Sequence, residues 1–345
     1  MEKEKAIFEM GSQSVKLPTP VYIRASASIV GKKEKEGPLG SLFDVASEDD
    51  HFGAKTWEEA ESELQRKAVE LALERAGMKS GEIRYLFAGD LLGQNVATSF
   101  GLMDYQIPLF GLYGACSTCG ESLSLGAMTI GGGFAGNVMC VTSSHFASAE
   151  KEFRFPLEYG GQRPPASSWT VTGSGAFVLS SHPGNAPRAV ITGITTGKIM
   201  DYGIHDSFNM GCAMAPAAMN VIEANLRDFD RKPSDYDRII TGDLGEIGRR
   251  ALMDLLLDKK IDIGVEHMDC GIEIYTPDRQ NTGAGGSGCG CSASVLSAYI
   301  LRKIEEGVWK RVLFIPTGAL LNKLSYNEGK NVPGIAHGIV IEKIC

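Results

Sequence analysis

Two cysteines stand where a glycine-rich turn leads into a helix-like run. Cys116 follows Gly114-Ala115, and Cys289 follows Gly288. The first amide N–H groups of a helix have no intrahelical partner, so they stabilise a thiolate, the form in which cysteine attacks acyl groups. Free cysteine is also among the most often buried residue types. The two elbows therefore predict either nucleophiles for acyl transfer or small buried side chains that line a cavity.

The elbows belong to two stretches that repeat one another in order. Each has an apolar run that ends in Gly-Asp-Leu, then the elbow, then a second apolar run. From the elbow cysteine to that second run is 21 residues in the first stretch and 22 in the second. An internal duplication of this size predicts two similar α/β halves, which we place at residues 1–187 and 188–345. Superposition of the halves should bring Asp90 onto Asp243.

Apolar periodicity and turn residues predict the elements that position the elbows. A helix should begin at Thr56, where Thr56-Trp-Glu-Glu59 fits a capping box, and end at Gly77. Strands at 170–180 and 189–196 should pair with each other across a His-Pro-Gly-Asn turn. Further strands are predicted at 21–30, 83–90, 107–115, 138–142, 312–316 and 338–343. Further helices are predicted at 97–103, 116–130, 217–229, 246–257 and 291–306.

Composition excludes several classes of protein. The chain has 345 residues, of which 43% are hydrophobic, and a formal net charge of -8. A chain this acidic does not suit nucleic acid, which requires a basic field. It has no apolar run of about twenty residues to span a membrane. The first residues, Met1-Glu-Lys-Glu-Lys, predict no secretory signal, so the eight cysteines are expected to be reduced thiols.

Three other sites that the residues suggest are less favoured. Cys116 and Cys119 with Cys289 and Cys291 could supply four thiolates to zinc, but each pair lies at a core-facing helix start, which favours packing. A redox pair formed by Cys116 and Cys119 is disfavoured, because the order of strands and helices around them is not that of thioredoxin. The glycine-rich loop at 283–288 is not followed by the lysine of a P-loop, so a phosphate-binding P-loop is disfavoured. The glycines instead indicate a close approach between the backbones of two elements and a helix start that is open to an anion. We expect no cofactor and no metal.

The repeated order of strand, G-x-C elbow, helix and strand resembles the thiolase and ketoacyl-synthase superfamily. Gly114-Ala-Cys116-Ser matches the nucleophile position of those enzymes, and Thr172 to Val178 (T-G-S-G-A-F-V) resembles one of their glycine-rich strands. The resemblance implies an α/β, thiolase-like fold of five layers, α-β-α-β-α, made of two duplicated halves.

Longer motifs resemble a narrower family, the stage V sporulation protein AD family of spore-forming bacteria. The most specific is S-S-H-F-A-S-A-E-K-E-F-R-F-P. The stretches that carry the resemblance are residues 143–156, 158–160, 163–165, 170–175, 208–218, 281–294 and 335–342. The resemblance implies binding of dipicolinic acid (pyridine-2,6-dicarboxylate) for its uptake into the developing spore, and a part in its release during germination.

The catalytic partners of condensing enzymes are missing from the second half. Those enzymes require a His, with a His or Asn beside it, to activate the nucleophile and stabilise the oxyanion. The segment at Ile240 to Gly245 has neither, and Cys289 stands where the second should fall. The C-terminal glycine-rich loop is replaced by Pro333 to Gly338. A nucleophile without its base and oxyanion donors loses most of its rate enhancement, since each donor is worth roughly a hundredfold or more. This pattern favours a binding protein that has lost condensing activity.

The resemblance places a ligand cavity around the two elbows. Its positive potential would come from the helix starts, from protonated histidines and from Arg163. Asp90 and Asp243, at equivalent strand ends, have three possible roles. Their carboxylates could accept hydrogen bonds from histidine, contact a calcium chelate of the ligand, or cap neighbouring backbone amides. The candidate ligand-binding residues are Cys116, Asp90, His205, Asp243, Cys289, His337, Ser144, His145 and Arg163.

Three functions remain as alternatives. The first is a non-catalytic protein that binds dipicolinic acid or its calcium chelate. The second is an acyl-CoA-dependent 3-ketoacyl synthase that uses Cys116. The third is a structural subunit with an empty, vestigial pocket. The family resemblance further implies a homodimer joined through the strand at 137–142, contact with other proteins of the stage V sporulation A membrane complex, and a location peripheral to the inner (forespore) membrane.

Overall fold

The computed structural model describes residues 8–153 and 163–344 of the chain. Within these ranges the strands are β1 Glu9–Met10, β2 Ser14–Val30, β3 Val45–Ala46, β4 Tyr85–Gly89, β5 Leu109–Gly111, β6 Asn137–Ser144, β7 Trp169–Thr170, β8 Gly173–Ser180, β9 Ala189–Thr196, β10 Arg238–Thr241, β11 His267–Asp269, β12 Gly286–Ser287, β13 Arg311–Ile315, β14 Thr317–Ala319 and β15 Gly334–Glu342.

The helices alternate with these strands. They are α1 Lys32–Lys35, α2 Trp57–Ala76, α3 Val96–Leu102, α4 Thr118–Gly131, α5 Phe146–Phe153, α6 Met210–Asp228, α7 Gly245–Asp258, α8 Cys270–Glu273, α9 Pro277–Gln280, α10 Cys289–Val295, α11 Leu301–Glu305 and α12 Lys323–Asn327. A π-helical turn at Leu296–Ile300 joins α10 to α11 into one run.

The main sheet has the same pattern of parallel and antiparallel strands when followed from either end. Its strand order is β11-β10-β13-β15-β9-β2-β8-β6-β4-β5. From one end, β5, β4 and β6 are parallel, and β8 and β2 follow antiparallel. From the other end, β11, β10 and β13 are parallel, and β15 and β9 follow antiparallel. This mirrored order is what an internal duplication predicts. The boundary at 187/188 stays a prediction, and β2 and β9 are paired across it.

Helices fill the space between the halves and cover their outer faces. The helix α4 packs against β6 and β4 of the first half and against β15 of the second. It shares one core with the run from α10 to α11, and that core joins Leu123 and Leu296 to Phe177 and Phe314 of the two halves. Outside this layer, α2 and α3 cover the first half, and α6 and α7 cover the second. The result is the expected sequence of layers, α-β-α-β-α.

The start and end predicted for α2 are confirmed. The backbone N–H of Glu59 donates to the Thr56 hydroxyl at 3.2 Å, and the Thr56 N–H donates to the Glu59 carboxylate at 3.2 Å. At the other end, Gly77 adopts a φ of 63°, the left-handed conformation that glycine adopts without a steric penalty. Local capping chemistry is therefore sufficient to fix this helix.

The predicted pairing of strands 170–180 and 189–196 is wrong. The strands β8 and β9 both exist, but β2 lies between them and pairs antiparallel with each. Adjacency in sequence favours a hairpin, but the long strand β2 offers both of its edges. The first part of the predicted strand is also separate, because β7 leaves the main sheet and pairs with β12.

The strand predicted to join two subunits is an interior strand. The strand β6 pairs with β4 on one side and with β8 on the other, so both of its hydrogen-bonding edges are occupied. Among the described residues the edge strand of this half is β5, where Leu109 and Phe110 are 44% and 52% exposed. The predicted use of residues 137–142 as a dimer strand is therefore wrong, because apolarity alone does not distinguish an edge strand from a central one.

Within residues 8–153 and 163–344, no helix combines the length and apolarity that a membrane span requires. The same residues contain no group of three or more His, Cys, Asp or Glu side chains placed to hold a metal ion.

Candidate functional site

A cavity of about 210 Å³ lies beside the first elbow. Its walls come from the elbow itself, from α5 and from the segment that follows β14. Most of its surface is apolar, and the residues that line it are Leu91, Tyr113, Ala115, Cys116, Ala149, Glu150, Phe153, Thr170, Met210, Ser287, Ala319, Leu320, Leu321 and Asn322. The cavity is therefore shaped by both halves of the chain.

The elbow that carries Cys116 holds a strained backbone. Ala115 has a φ of 52°, a conformation that costs a residue with a Cβ roughly 1–2 kcal/mol. Two hydrogen bonds of the Thr118 hydroxyl stabilise this conformation. The hydroxyl donates to the Ala115 carbonyl at 2.6 Å and accepts from the Gly114 N–H at 3.1 Å. A Cβ at Gly318 would lie 2.7 Å from the Gly114 carbonyl, so glycine there lets the second half approach the elbow.

Cys116 lies at the wall of the cavity next to a buried carboxyl group, Asp243. Burial, and then the charge of Asp243, raise the pKa of the Cys116 thiol well above its ordinary value. Burial also raises the pKa of Asp243 to about 7, although hydrogen bonds from the Gly288 N–H, the Thr317 hydroxyl and the Cys116 thiol oppose the rise. The thiol is therefore protonated at neutral pH.

Asp243 also connects the two elbows. One of its oxygens accepts from the Gly288 N–H at 2.9 Å, at the start of α10. The other accepts from the Thr317 hydroxyl at 2.7 Å, on β14. A single buried carboxyl group thus contacts Cys116 of the first half and two elements of the second.

Cys289 lies close to Cys116, in line with the cavity that the family resemblance places around the two elbows. The two thiols share a small apolar cluster with Leu91 and Ala149. The Cys289 thiol donates to the Ser143 carbonyl at 2.8 Å, and burial raises its pKa well above the ordinary value. The structure therefore brings both elbow cysteines together as neutral, buried groups.

The carboxylate of Asp90 is used within its own turn. One oxygen accepts from the Leu92 N–H at 2.8 Å. The other accepts from the Thr98 N–H at 2.8 Å and from the Thr98 hydroxyl at 2.6 Å. Burial raises its pKa. Of the roles predicted for Asp90, these contacts favour amide capping.

Ser144 and His145 bind protein groups instead of facing the cavity. The Ser144 hydroxyl donates to the Val171 carbonyl at 2.7 Å and accepts from the Gly290 N–H at 3.1 Å, which fixes the start of α10. His145 accepts from the Ala147 N–H at Nδ1, 3.2 Å away, and its Nε2 lies 2.8 Å from the Asp50 carbonyl. Burial lowers the pKa of His145, so the ring is neutral at neutral pH.

Arg163 supplies its charge to the wall of the cavity and not to its interior. The guanidinium forms an ion pair with Glu150, a lining residue, and donates to the Ser168 carbonyl at 2.9 Å. Its centre lies 5.2 Å from the ring centroid of Phe146 and 5.0 Å from that of Trp169, which are stacked on one another. Stacking and ion pairing together fix the orientation of the planar guanidinium.

The other two predicted histidines are absent from the described cavity lining. His205 is exposed in the irregular segment before α6. His337 lies on β15, where burial lowers its pKa to about 4, so it is neutral at neutral pH. The positive charge that the sequence assigned to His337 is therefore not available there.

Several lining residues were not predicted from sequence. They are Tyr113, Thr170, Ser287 and the segment at 319–322, which ends at Asn322, the N-cap of α12. Asparagine is a preferred N-cap residue, so the sequence could have indicated a helix start at Asn322. The structure shows this cap, because the Asn322 side chain accepts from the Leu324 N–H at 2.8 Å. Part of the most specific family motif, Arg154 to Pro156, and the Glu158-Tyr-Gly160 stretch lie outside the described residues.

Comparison with known proteins assigns the family. A model of stage V sporulation protein AD (SpoVAD) matches residues 11–342. The chain belongs to the SpoVAD family. Stage V sporulation protein AD of Bacillus subtilis (strain 168) is 44% identical over 333 residues, which cover 96% of this chain and 97% of that protein.

Solved structures confirm the thiolase-like fold of this SpoVAD family member. Human mitochondrial 3-ketoacyl-CoA thiolase in complex with CoA is 13% identical, with a TM-score of 0.58 over 96% of this chain and 99% of that one. The 3-oxoacyl-[acyl-carrier-protein] synthase III of Aquifex aeolicus VF5 is 15% identical, with a TM-score of 0.54 over 93% and 99% of the two chains. At these identities the likeness shows the fold alone.

The raised pKa of Cys116 gives a first testable prediction for this SpoVAD protein. Only the thiolate is alkylated, so Cys116 should react with iodoacetamide at pH 7.5 at least about tenfold more slowly than Cys212, which is partly exposed. Peptide mass spectrometry after timed alkylation measures both rates in one sample. Faster reaction at Cys116 than at Cys212 would show an activated nucleophile.

Proposed function

We propose that the cavity beside Cys116 binds dipicolinic acid without catalysing condensation. The observation that carries the proposal is the protonated Cys116 thiol beside buried Asp243, at the wall of a small apolar cavity. An apolar cavity with a few polar groups suits a flat, single-ring ligand. A protonated thiol contributes shape and not attack.

The charge of the cavity favours a neutral form of the ligand. The described lining residues include Glu150 and contain no Lys, Arg or His, and Asp243 lies behind Cys116. The free dicarboxylate is a dianion and would be repelled by these acids. Its calcium chelate has no net charge, and the bound calcium retains positions that oxygen ligands such as carboxylates can fill. We therefore infer that the calcium chelate binds more tightly than the free dianion.

The 3-ketoacyl synthase is retained as a second candidate because of two observations. The elbow is strained at Ala115, as nucleophile elbows are, and Asp243 has a pKa of about 7 beside the thiol, within the range of a general base. Against it stands the raised pKa of Cys116. Intact-mass measurement after incubation with acetyl-CoA or malonyl-CoA decides between the two, since only the synthase forms an acyl adduct that a Cys116→Ser variant lacks.

Calorimetric titration tests the binding proposal directly. Dipicolinate is titrated into the protein with and without calcium. Two controls are used: isophthalate, which lacks only the ring nitrogen, and benzoate, which lacks the nitrogen and one carboxylate. We expect saturable binding of dipicolinate, tighter with calcium, and at least about tenfold weaker binding of both controls, or roughly 1.4 kcal/mol. If dipicolinate produces no saturable heat in either buffer, the structural-subunit alternative replaces this proposal.

The wider role rests on the family to which the chain belongs. We propose that binding serves the uptake of dipicolinic acid into the developing spore and its release in germination. On this view the protein works at the inner membrane of the forespore as a peripheral subunit, with other proteins of the stage V sporulation A complex as its partners.

We also propose a homodimer, joined through the free edge of the sheet at β5. Leu109 and Phe110 expose apolar surface there, and an unpaired edge offers its amide and carbonyl groups to a second copy. Leu109→Asp should shift the protein from dimer to monomer at micromolar concentration, as measured by light scattering. Val265→Asp changes an 84% exposed residue elsewhere and should remain dimeric. A wild-type monomer at that concentration would refute the proposal.

A further inference from the structure

A second groove, of about 430 Å³, contains an unusual concentration of arginine. It opens between β2, the end of α2, the segment before β9, and α11. Four of its lining residues are arginines: Arg24, Arg75, Arg188 and Arg302. They come from four separate elements, so the folded structure brings them together on a chain whose net charge is -8.

The floor of the groove is built from buried polar groups. The hydroxyls of Ser26 and Ser297 lie 2.8 Å apart, and both residues are buried. Arg188 donates to the Ser26 hydroxyl and to the Ser297 carbonyl, the latter at 2.9 Å. Ser297 belongs to the π-helical turn, a feature that is rare and frequent at functional sites. The floor is therefore a fixed arrangement and not a chance gap between surface side chains.

The acids that line the groove are already neutralised. Asp44 accepts from Arg75 at 2.8 Å and from the Ser28 N–H at 2.8 Å. Both oxygens of Glu305 accept from Arg188, at 2.6 and 2.9 Å. Four arginines against these two acids leave a surplus of two positive charges in the groove.

That surplus resides on Arg24 and Arg302. Arg24 uses one N–H of its guanidinium to cap the Ala76 carbonyl at 2.9 Å, at the end of α2. Arg302 is about half exposed, and its ion pair with Glu306 at 3.4 Å joins two solvated side chains of the same helix. Such exposed pairs are worth little, so both guanidinium groups retain the capacity to bind an anion.

We propose that this groove is a binding site for a phosphate group, either of a soluble phosphate compound or of a lipid headgroup. Arginine recognises phosphate through paired N–H···O bonds. A phosphate group directs its oxygens to several sides, so it can accept from arginines on different elements, whereas a carboxylate accepts in one plane. Along the α10–α11 run, Ser297 of the floor lies about 12 Å from Cys289 and Arg302 about 20 Å from it, at about 1.5 Å per residue. The site does not depend on dipicolinic acid binding.

The site is tested on the full chain with defined probes. Inorganic phosphate and pyrophosphate are titrated calorimetrically at low ionic strength, and phosphatidylcholine vesicles with and without phosphatidylglycerol are used in sedimentation. We expect binding of pyrophosphate or of the anionic vesicles. The double variant Arg24→Gln/Arg302→Gln should weaken it by about thirtyfold or more, and Arg302→Gln alone by about fivefold. Each arm identifies one source of the phosphate group.

A matched control separates the groove from general surface charge. Arg250→Gln removes one positive charge from an exposed position on α7 and should change the dissociation constant by less than about twofold. Arg302→Gln keeps the test valid if loss of the Arg24 cap impairs folding, which thermal unfolding reveals. The proposal is overturned if the wild type binds neither phosphate nor pyrophosphate nor the anionic vesicles, or if the groove variants bind as the wild type does.

Discussion

Ala149→Leu is expected to weaken dipicolinate binding strongly. Ala149 is buried on α5 and lines the cavity, in the same small cluster as Cys116 and Cys289. Leucine adds a branched side chain to a space of only about 210 Å³, where the ligand itself must lie. We expect affinity to fall by about a hundredfold or more, which corresponds to roughly 2.7 kcal/mol. Calorimetric titration with dipicolinate and calcium measures the loss.

The same change two residues earlier serves as its control. Ala147 lies on α5 but does not line the cavity, so Ala147→Leu adds the same volume to the same helix outside the site. It should bind dipicolinate within about twofold of the wild type. Because the cavity accommodates the added carbons, Ala149→Leu should not incur the overpacking cost of about 1–3 kcal/mol seen in filled cores. Undiminished binding by Ala149→Leu would place the ligand elsewhere.

Glu34→Gln is expected to make the protein's stability less sensitive to pH. Glu34 is fully buried, and burial raises its pKa from 4.5 to about 7, although hydrogen bonds from the Tyr275 hydroxyl and the Thr172 N–H oppose the rise. Between those pH values the folded chain holds a proton that the unfolded chain has released. The contribution to stability is therefore complete below pH 4.5 and is lost as the pH rises to about 7.

The size of that loss follows from the shift. At about 1.4 kcal/mol per pKa unit, ionisation of Glu34 lowers the free energy of unfolding by roughly 3 kcal/mol at high pH. Glutamine keeps the shape and the acceptor oxygen but does not ionise. The free energy of unfolding of Glu34→Gln minus that of the wild type should rise by about 2–3 kcal/mol between pH 5 and pH 7.5. Urea unfolding at both pH values measures this difference.

Glu36→Gln provides the matched comparison, because Glu36 is exposed two residues further along the chain. Because this position is exposed, Glu36→Gln should change the free energy of unfolding by less than about 0.5 kcal/mol. The Glu34→Gln variant should keep a residual slope in the same direction as the wild type, since burial also raises the pKa of Asp243 to about 7 and that of Asp269 to about 6. A parallel shift of Glu34→Gln at both pH values would show that Glu34 is ionised throughout.

The sequence alone was sufficient for features that depend on local chemistry or on repetition. The capping box at Thr56 and the glycine at the end of α2 are set by residues within a few positions of each other. The two elbows were recognised because each combines glycine, cysteine and a following helix, and the family resemblance placed both of them at one cavity. The structure brings Cys116 and Cys289 into one cluster. The family was likewise readable from long motifs.

Only the tertiary structure decided which elements are neighbours and which charges survive burial. The sequence predicted that β8 and β9 are strands. The position of β2 between them depends on pairing between segments that are distant in sequence. His337 was predicted to carry charge, yet desolvation lowers its pKa because the low-dielectric interior disfavours the imidazolium ion. The sequence determined which residues the two halves contain, but their packing determined which of them enclose the cavity and which are neutralised within it.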